Sequence, residues 1–341
     1  MAISRLCAAA LVLAFRIQAA PAMIFWLDLS GAVHSANADG SGAKTVVPNL
    51  KEGPDGVAVD AAAGKVYWTN MNEGTPNGSI QRANLDGSQV EYLVPRGGTH
   101  TPKQMQLDLV HRKAYWSDRD GFKIQRCNLD GTQNEILVSG LQNPVGMALD
   151  IDRGFFYFSD RNAGTIQRAP MAMPAAGQTA ATRKDVETLF SGLTRPIDLA
   201  LDLGKGQMYW TDREDNTVYR AGLDIPVGQT AATRKDRETL VRNLATPIGM
   251  ALDLGAGKLY YTEGANGSVG RANLDGTGKE ALIPGRAGLF GTGICFVLMD
   301  KPSALSPLPA PEPIRRSAYS RDALGRKFSI IPAEYFRLTS Y

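Results

Sequence analysis

Cysteine is nearly absent: Cys7, Cys127 and Cys295 are the three in a chain of 341 residues. That is too few for a disulfide scaffold, and a chain of this size buries enough apolar surface to fold without one. Histidine is as rare. His34, His100 and His111 are scattered, with no metal-ligand spacing and no plausible Ser-His-Asp partners. No Gly-rich loop follows a strand and opens a helix, so no phosphate cradle exists for a nucleotide cofactor. No segment sustains helical periodicity. The apolar run Leu6 to Phe15 is too short to span a bilayer, and no later stretch is apolar enough.

Excess charge of one sign is missing from the body of the chain. The whole sequence carries +3, Arg5 and Arg16 supply two of those charges, and residues 301–341 hold seven basic and three acidic side chains, which leaves the middle at −3. Nothing there offers a basic stripe to a phosphate backbone, so nucleic acid is not an expected partner.

What is abundant is repetition. Lys65-Val66-Tyr67-Trp68-Thr69-Asn70 has close copies at Ala114–Asp118, Phe156–Asp160, Met208–Asp212 and Leu259–Glu263, and a worn one at Ile24–Asp28. Aligned on Trp26, Trp68, Trp116, Phe158, Trp210 and Tyr261, the six copies are 42, 48, 42, 52 and 51 residues apart. A period of roughly 40–50 residues marks a propeller or solenoid. Upstream of each later copy lies a Pro-x-Gly-apolar-Ala-apolar-Asp run, as in Pro54–Asp60, Pro144–Asp150 and Pro247–Asp253, with changes in Pro102–Asp108 and Pro196–Asp202. Downstream comes a run such as Ile80–Gly87, ending in Asp-Gly hairpin chemistry, and then a fourth apolar stretch such as Glu135–Val138. Four short aromatic and β-branched strands per repeat describe an antiparallel blade.

The expected fold is therefore all-β, a six-bladed β-propeller of four-stranded antiparallel blades spanning residues 23–300. The first copy lacks an innermost strand, while Gly291–Val297 resembles one with no second strand behind it. Pairing the N- and C-terminal strands in one blade would close the ring and remove sheet edges. Residues 1–22, with Arg5, a short apolar run and small residues at Ala19, Ala20 and Ala22, read as a cleaved signal peptide, so the secretory pathway or the extracellular space is the expected location. Residues 301–341 read as a Pro-rich linker and a basic tail. Asn77-Gly-Ser and Asn266-Gly-Ser are glycosylation sequons that are also hairpin chemistry. A segment beginning Gly177-Gln-Thr-Ala-Ala-Thr-Arg-Lys-Asp returns at Gly228. It reads as the trace of a duplicated blade or as a binding loop, on the face away from the channel mouth.

These motifs resemble the six-bladed Tyr-Trp-Thr-Asp propellers of lipoprotein-receptor ectodomains, over residues 23 to about 300. The resemblance implies that the aromatic motif forms each second strand and the Pro-x-Gly run the innermost one, beside a central channel. The channel mouth then collects residues before each innermost strand and after each aromatic motif. Departures from the repeat there are the candidate site. Gln104 and Asp198 stand at the usual Gly, with Lys103, Asp55 and Thr292 at the neighbouring position, and Gln106 replaces the usual Ala further along. Arg119, Arg161 and Arg213 follow three successive motifs, where Met71 and Leu29 follow others. Polar groups near a narrow axis are costly unless paired or functional. Arg82, Arg126, Arg168, Arg220 and Arg271 recur at one repeat position and are expected to be structural, pairing for example with the repeated Asp.

Six-bladed lactonases hold calcium with a Glu, Asn and Asp set in the channel. This chain offers mainly Asp198 there, so a lactonase-like hydrolase is disfavoured, and neither metal nor cofactor is expected. The short build with a leader is similar to fungal stand-alone propellers of this repeat family, some of which are hetero-Diels–Alderases in tropolone–sesquiterpenoid (meroterpenoid) biosynthesis. That resemblance implies a cofactor-free [4+2] cycloaddition between an o-quinone methide and a terpene alkene. Lys103, Gln104 and Asp198 would be its catalytic residues, and Asp55, Gln106, Arg119, Arg161, Arg213, Thr292 and Met71 would bind substrate. The alternative is a non-catalytic extracellular module gripping a protein or small ligand at the mouth.

Overall fold

The computed structural model describes residues 21–72, 74, 76–285, 289–299, 319–321 and 327–329. The expected leader and most of the tail lie outside them. The chain divides into two units, residues 1–301 and 302–341. The second contributes two short antiparallel strands, Tyr319–Arg321 and Lys327–Ser329. The first contains six four-stranded antiparallel sheets.

Those sheets are the six blades of the expected propeller. The first blade is composite: Gly291–Leu298 pairs with Ala22–Asp28, followed outward by Ala32–Asn37 and Lys44–Val47. The last strand of the ring thus closes the first blade. The other innermost strands are Pro54–Asp60, Pro102–Asp108, Pro144–Asp150, Pro196–Asp202 and Pro247–Asp253, each contacting the next around the ring.

Side-chain alternation along each second strand explains the aromatic dipeptide. Successive residues face opposite sides of a sheet, so Tyr67 packs toward blade three while Trp68 packs toward blade two's other neighbour, blade one. Tyr209 and Trp210 divide in the same way between their neighbours. The core is accordingly six apolar layers, one at each junction between blades.

The polar end of the motif ties those layers together. Every innermost strand carries a β-bulge at its x-Gly pair, shown by register slips such as Pro54/Val57 and Pro196/Leu199. The bulge frees an N–H and a C=O from the ladder. The motif hydroxyl takes both: Thr211 Oγ1 accepts from Asp198 N of its own blade at 3.0 Å and donates to Ile248 O of the next at 2.7 Å. Thr69 and Ser159 repeat the bridge, and Thr262 does the same toward Thr292 O. Leu27 breaks the series in blade one. There the Thr292 hydroxyl itself donates to Pro54 O at 3.1 Å.

Two expectations need correction. The recurrent arginines are structural, but their shared partner is the Glu that opens the fourth strand: Arg126 Nε lies 2.6 Å from Glu135, and Arg126 also donates to Met171 O of the next blade, whereas Arg168 alone of these five adds an Asp, Asp224 of the next blade's Leu-Asp run, at 2.8 Å. Strand register makes Arg and Glu direct neighbours. The repeated Asp instead caps turns, as Asp118 does for His100 N, Thr101 N and Gly121 N. The duplicated segments also do more than hang from the far face. Ala180 O accepts from Ser139 N and the buried Arg183 donates to Leu137 O, so the insert covers the outer strand of the preceding blade. Ala231 and Arg234 repeat this one blade on.

Thr211→Val keeps the shape and removes the bridge, orphaning a buried N–H and a buried C=O at about 1–3 kcal/mol each. Urea unfolding should show a loss of at least about 2 kcal/mol. Unchanged stability would mean that the bridge contributes little.

Candidate functional site

The bulge also decides what reaches the channel. At the Gly position, a Cβ on Gly56 would meet Lys103 O at 2.4 Å, and one on Gly146 would meet Ile197 O at 2.1 Å. The innermost backbones are therefore nearly in contact, and Gln104 and Asp198 are the two side chains in this layer. Gln104 Nε2 donates to Asp55 Oδ1 at 3.2 Å, and its Oε1 lies 3.1 Å from where a Cβ on Gly293, two blades away, would stand. Asp198 accepts from Leu199 N and from Met250 N of the next blade, both at 2.9 Å.

One layer nearer the mouth, the six x residues divide the ring in half. Thr292, Asp55 and Lys103 are polar, whereas Val145, Ile197 and Ile248 form an apolar floor on which Phe290 packs. On the polar half, Lys103 Nζ lies 2.5 Å from Asp55 Oδ2 and 2.9 Å from Met71 Sδ. Asp55, Lys103, Gln104 and Met71 are thus one connected group, with Asp55 buried inside it. Thr292 is engaged in closing the ring.

Arg161 and Arg213 sit on the rim of blades that carry the apolar floor, and Arg119 on the adjoining blade that carries Lys103. Arg119, Arg161 and Arg213 each donate a backbone N–H to the residue before their own innermost strand, Thr101, Asn143 and Arg195. Arg119 pairs with Asp120 at 2.8 Å, Arg195 lies 3.5 Å from Glu214, and Arg213 stacks over Phe290 at 5.6 Å. Arg161 differs from them: its Nε is buried without a hydrogen-bond partner among the described residues. Burial, and then the charges of Arg119, Arg195 and Arg213, hold its guanidinium below the usual range. Arg195 and Phe290 were not singled out by the repeat. Arg195 does precede a Pro of the Pro-x-Gly pattern, which is the signal that could have found it.

Gln106 is not at the mouth. Its Nε2 donates to Met147 O at 3.3 Å, and its side chain faces the far half of the channel. Of the sequons, Asn77 is exposed, while Asn266 uses its Oδ1 to accept from Ser268 N. Cys127 and Cys295 are free thiols.

Burial pushes the Asp198 carboxyl up to about 7, and the charge of Asp55 adds to this, against the hydrogen bonds from Met250 N and Leu199 N. A carboxyl that holds its proton longer when folded stabilises the fold most fully at low pH. That contribution falls as pH rises from about 4 to about 7. Asp198→Asn removes the titration and turns an amide toward a backbone donor, costing about 1–3 kcal/mol. Chemical unfolding across pH 4–8 should show the wild type's advantage over this variant shrinking toward pH 7. A constant difference would place the carboxyl's titration elsewhere.

No family model matches the chain. Among individual proteins, low-density lipoprotein receptor-related protein 1 of Pyricularia oryzae is 37% identical over 265 residues, covering 70% of this chain and 84% of the relative. A 3-hydroxyacyl-CoA dehydrogenase-like protein of Cochliobolus heterostrophus is 32% identical, and the match spans 67% of this chain and about half, 53%, of that protein. A human low-density lipoprotein receptor-related protein 5-like protein is 31% identical over 71% of this chain and 88% of its own length. In fold, the chain resembles the crystal structure of a nidogen/laminin complex, with a TM-score of 0.65, 23% identity, and coverage of 82% of this chain and 99% of that one. The chain belongs to the Tyr-Trp-Thr-Asp-repeat β-propeller family of the low-density lipoprotein receptor-related proteins.

Proposed function

We propose that the channel mouth binds a small amphipathic molecule and that the chain is a secretory-pathway propeller catalysing a cofactor-free hetero-Diels–Alder reaction. One observation carries this reading: the buried, unpartnered Nε of Arg161 stands among three further arginines, at the rim of an apolar floor made by Val145, Ile197, Ile248 and Phe290. Oxygens that carry or develop negative charge suit the arginines, and a hydrocarbon suits the floor.

An o-quinone methide and a terpene alkene together have this polarity. In their [4+2] reaction the methide carbon bonds one alkene carbon and the heterodiene oxygen bonds the other. Two σ bonds replace two π bonds, the remaining π bond shifts, and no atom leaves. The protein's part is to hold the two partners in reactive geometry and to donate to the oxygen as electron density gathers on it. Arg161 would make that donation. Lys103 and Gln104, on the polar half, would turn to substrate by exchanging their bonds with Asp55. Asp198 fixes the next blade's bulge and holds the layer beneath. Among the described residues no helix is long and apolar enough to cross a membrane.

The test combines the full chain with a tropolone- or phenol-derived o-quinone methide precursor and a cyclic sesquiterpene alkene, reading rate and product stereochemistry against buffer. Arg161→Gln should lower kcat/KM by about 100-fold, the loss typical of one missing oxyanion donor. Wild-type protein that leaves both rate and stereochemistry at their buffer values would overturn the enzymatic reading. The mouth would then be sought as a docking site for a protein loop.

A further inference from the structure

Beneath the Gln104 and Asp198 layer the channel opens again, toward the face opposite the mouth. The cavity there has a volume of about 250 Å³. Its origin is legible in the repeat. The fifth residue of the innermost strands is Ala58, Gln106, Ala148, Ala200, Ala251 and Cys295, and of these Ala148, Ala200 and Ala251 leave room by bringing only a methyl group to the cavity wall. The remaining lining is aliphatic or aromatic, including Leu199, Met250, Ile294 and Phe296, and no charged side chain takes part. At the outer rim, Leu203 and Leu254 sit on the hairpins after the innermost strands and are partly exposed to solvent. A second apolar depression of about 510 Å³ shares Leu252, Leu254 and Phe296 with the cavity and continues it outward.

Two side chains among those of the wall are not hydrocarbon, and backbone polar groups are exposed between them. Gln106 spends one amide N–H on Met147 O, and its Oε1 has no hydrogen-bond partner among the described residues. Burial pushes the Cys295 thiol up to about 12, so it lines the wall as a neutral S–H.

We infer that this far-face cavity is a binding site for a neutral, compact hydrocarbon molecule bearing one hydroxyl or carbonyl group, which Gln106 anchors through its free amide functions. The volume exceeds the roughly 150 Å³ cavity that takes a single benzene ring. The absence of charge in the wall disfavours an ionised ligand, because nothing there would repay its desolvation. A carboxamide with a spare acceptor among uncharged side chains favours a ligand with one polar group over a pure hydrocarbon. The site is separate from the mouth and does not depend on the reaction proposed there.

Cys295 is a slow reporter on the cavity, because its suppressed thiolate limits alkylation, and the melting temperature is the independent readout. The experiment follows alkylation of Cys295 in the full chain by N-ethylmaleimide, by peptide mass spectrometry, with menthol or its hydrocarbon counterpart menthane as the probe. Menthol should slow alkylation at least five-fold and saturably, and should raise the melting temperature over the same concentrations. Gln106→Ala introduces the residue that four other blades already carry, so overpacking is avoided. It should weaken menthol about ten-fold, equivalent to about 1.4 kcal/mol, and leave menthane nearly unchanged. Ala251→Leu should abolish protection by filling the cavity. A melting temperature unchanged by saturating menthol, alkylation equally fast with and without it, or equal effects of menthol on the wild type and both variants would overturn the assignment.

Discussion

The ring depends on one hydroxyl placed between two bulges. Apolar layers hold adjacent blades together, but they are non-directional and would tolerate sliding. The bridge from Thr211 to Asp198 N and Ile248 O, repeated by Thr69, Ser159 and Thr262, specifies height and angle at each junction. Each bridge satisfies a buried donor and a buried acceptor that the bulge withdraws from the ladder, which water cannot reach. Thr292 supplies the same kind of link where Leu27 cannot. Its place at the mouth therefore owes more to closure than to ligand recognition.

That constraint shapes the channel. Pulling the bulges together leaves no room for a Cβ at Gly56, Gly146, Gly249 or Gly293, so the axis is narrowest there and widens on either side. Gln104 and Asp198 occupy the narrow layer only because each finds a partner, Asp55 for one and the Met250 N–H for the other. The channel is thus two compartments. The upper one combines charge with an apolar floor, and the lower one is lined by uncharged, mostly apolar side chains. An acid whose proton is held to about pH 7 lies in the layer between them.

Much of this was legible from the repeat. Blade number, strand order and closure by Gly291–Leu298 follow from the spacing of the aromatic motif and from the missing strand at each end. Lys103, Gln104 and Asp55 were marked as departures near the mouth, and they do meet. What stayed hidden depends on register and on the third dimension. The arginine partners were misassigned because the Glu that opens the fourth strand is a neighbour only across the sheet. Gln106 stands out in the repeat as a replacement of the usual Ala, but which compartment it enters is not written there, and two residues along the strand from Gln104 its side chain lies in the lower one. The lower cavity is written in a column of alanines, ordinary residues that become informative only when six strands are viewed down one axis. Phe290 joins the mouth from a loop that the repeat does not describe, whereas Arg195 stands at a repeat position, just before Pro196.

The account stands or falls on whether the arginine group at the mouth receives an oxygen-rich ligand. The most direct measurement is side-chain NMR of the arginine Nε–H groups in the full chain during titration with tropolone at neutral pH. The account predicts a saturable shift at Arg161, larger than at Arg119, Arg195 or Arg213, because its Nε alone among them begins buried and without a partner. Arginine resonances that stay fixed through the titration would contradict it.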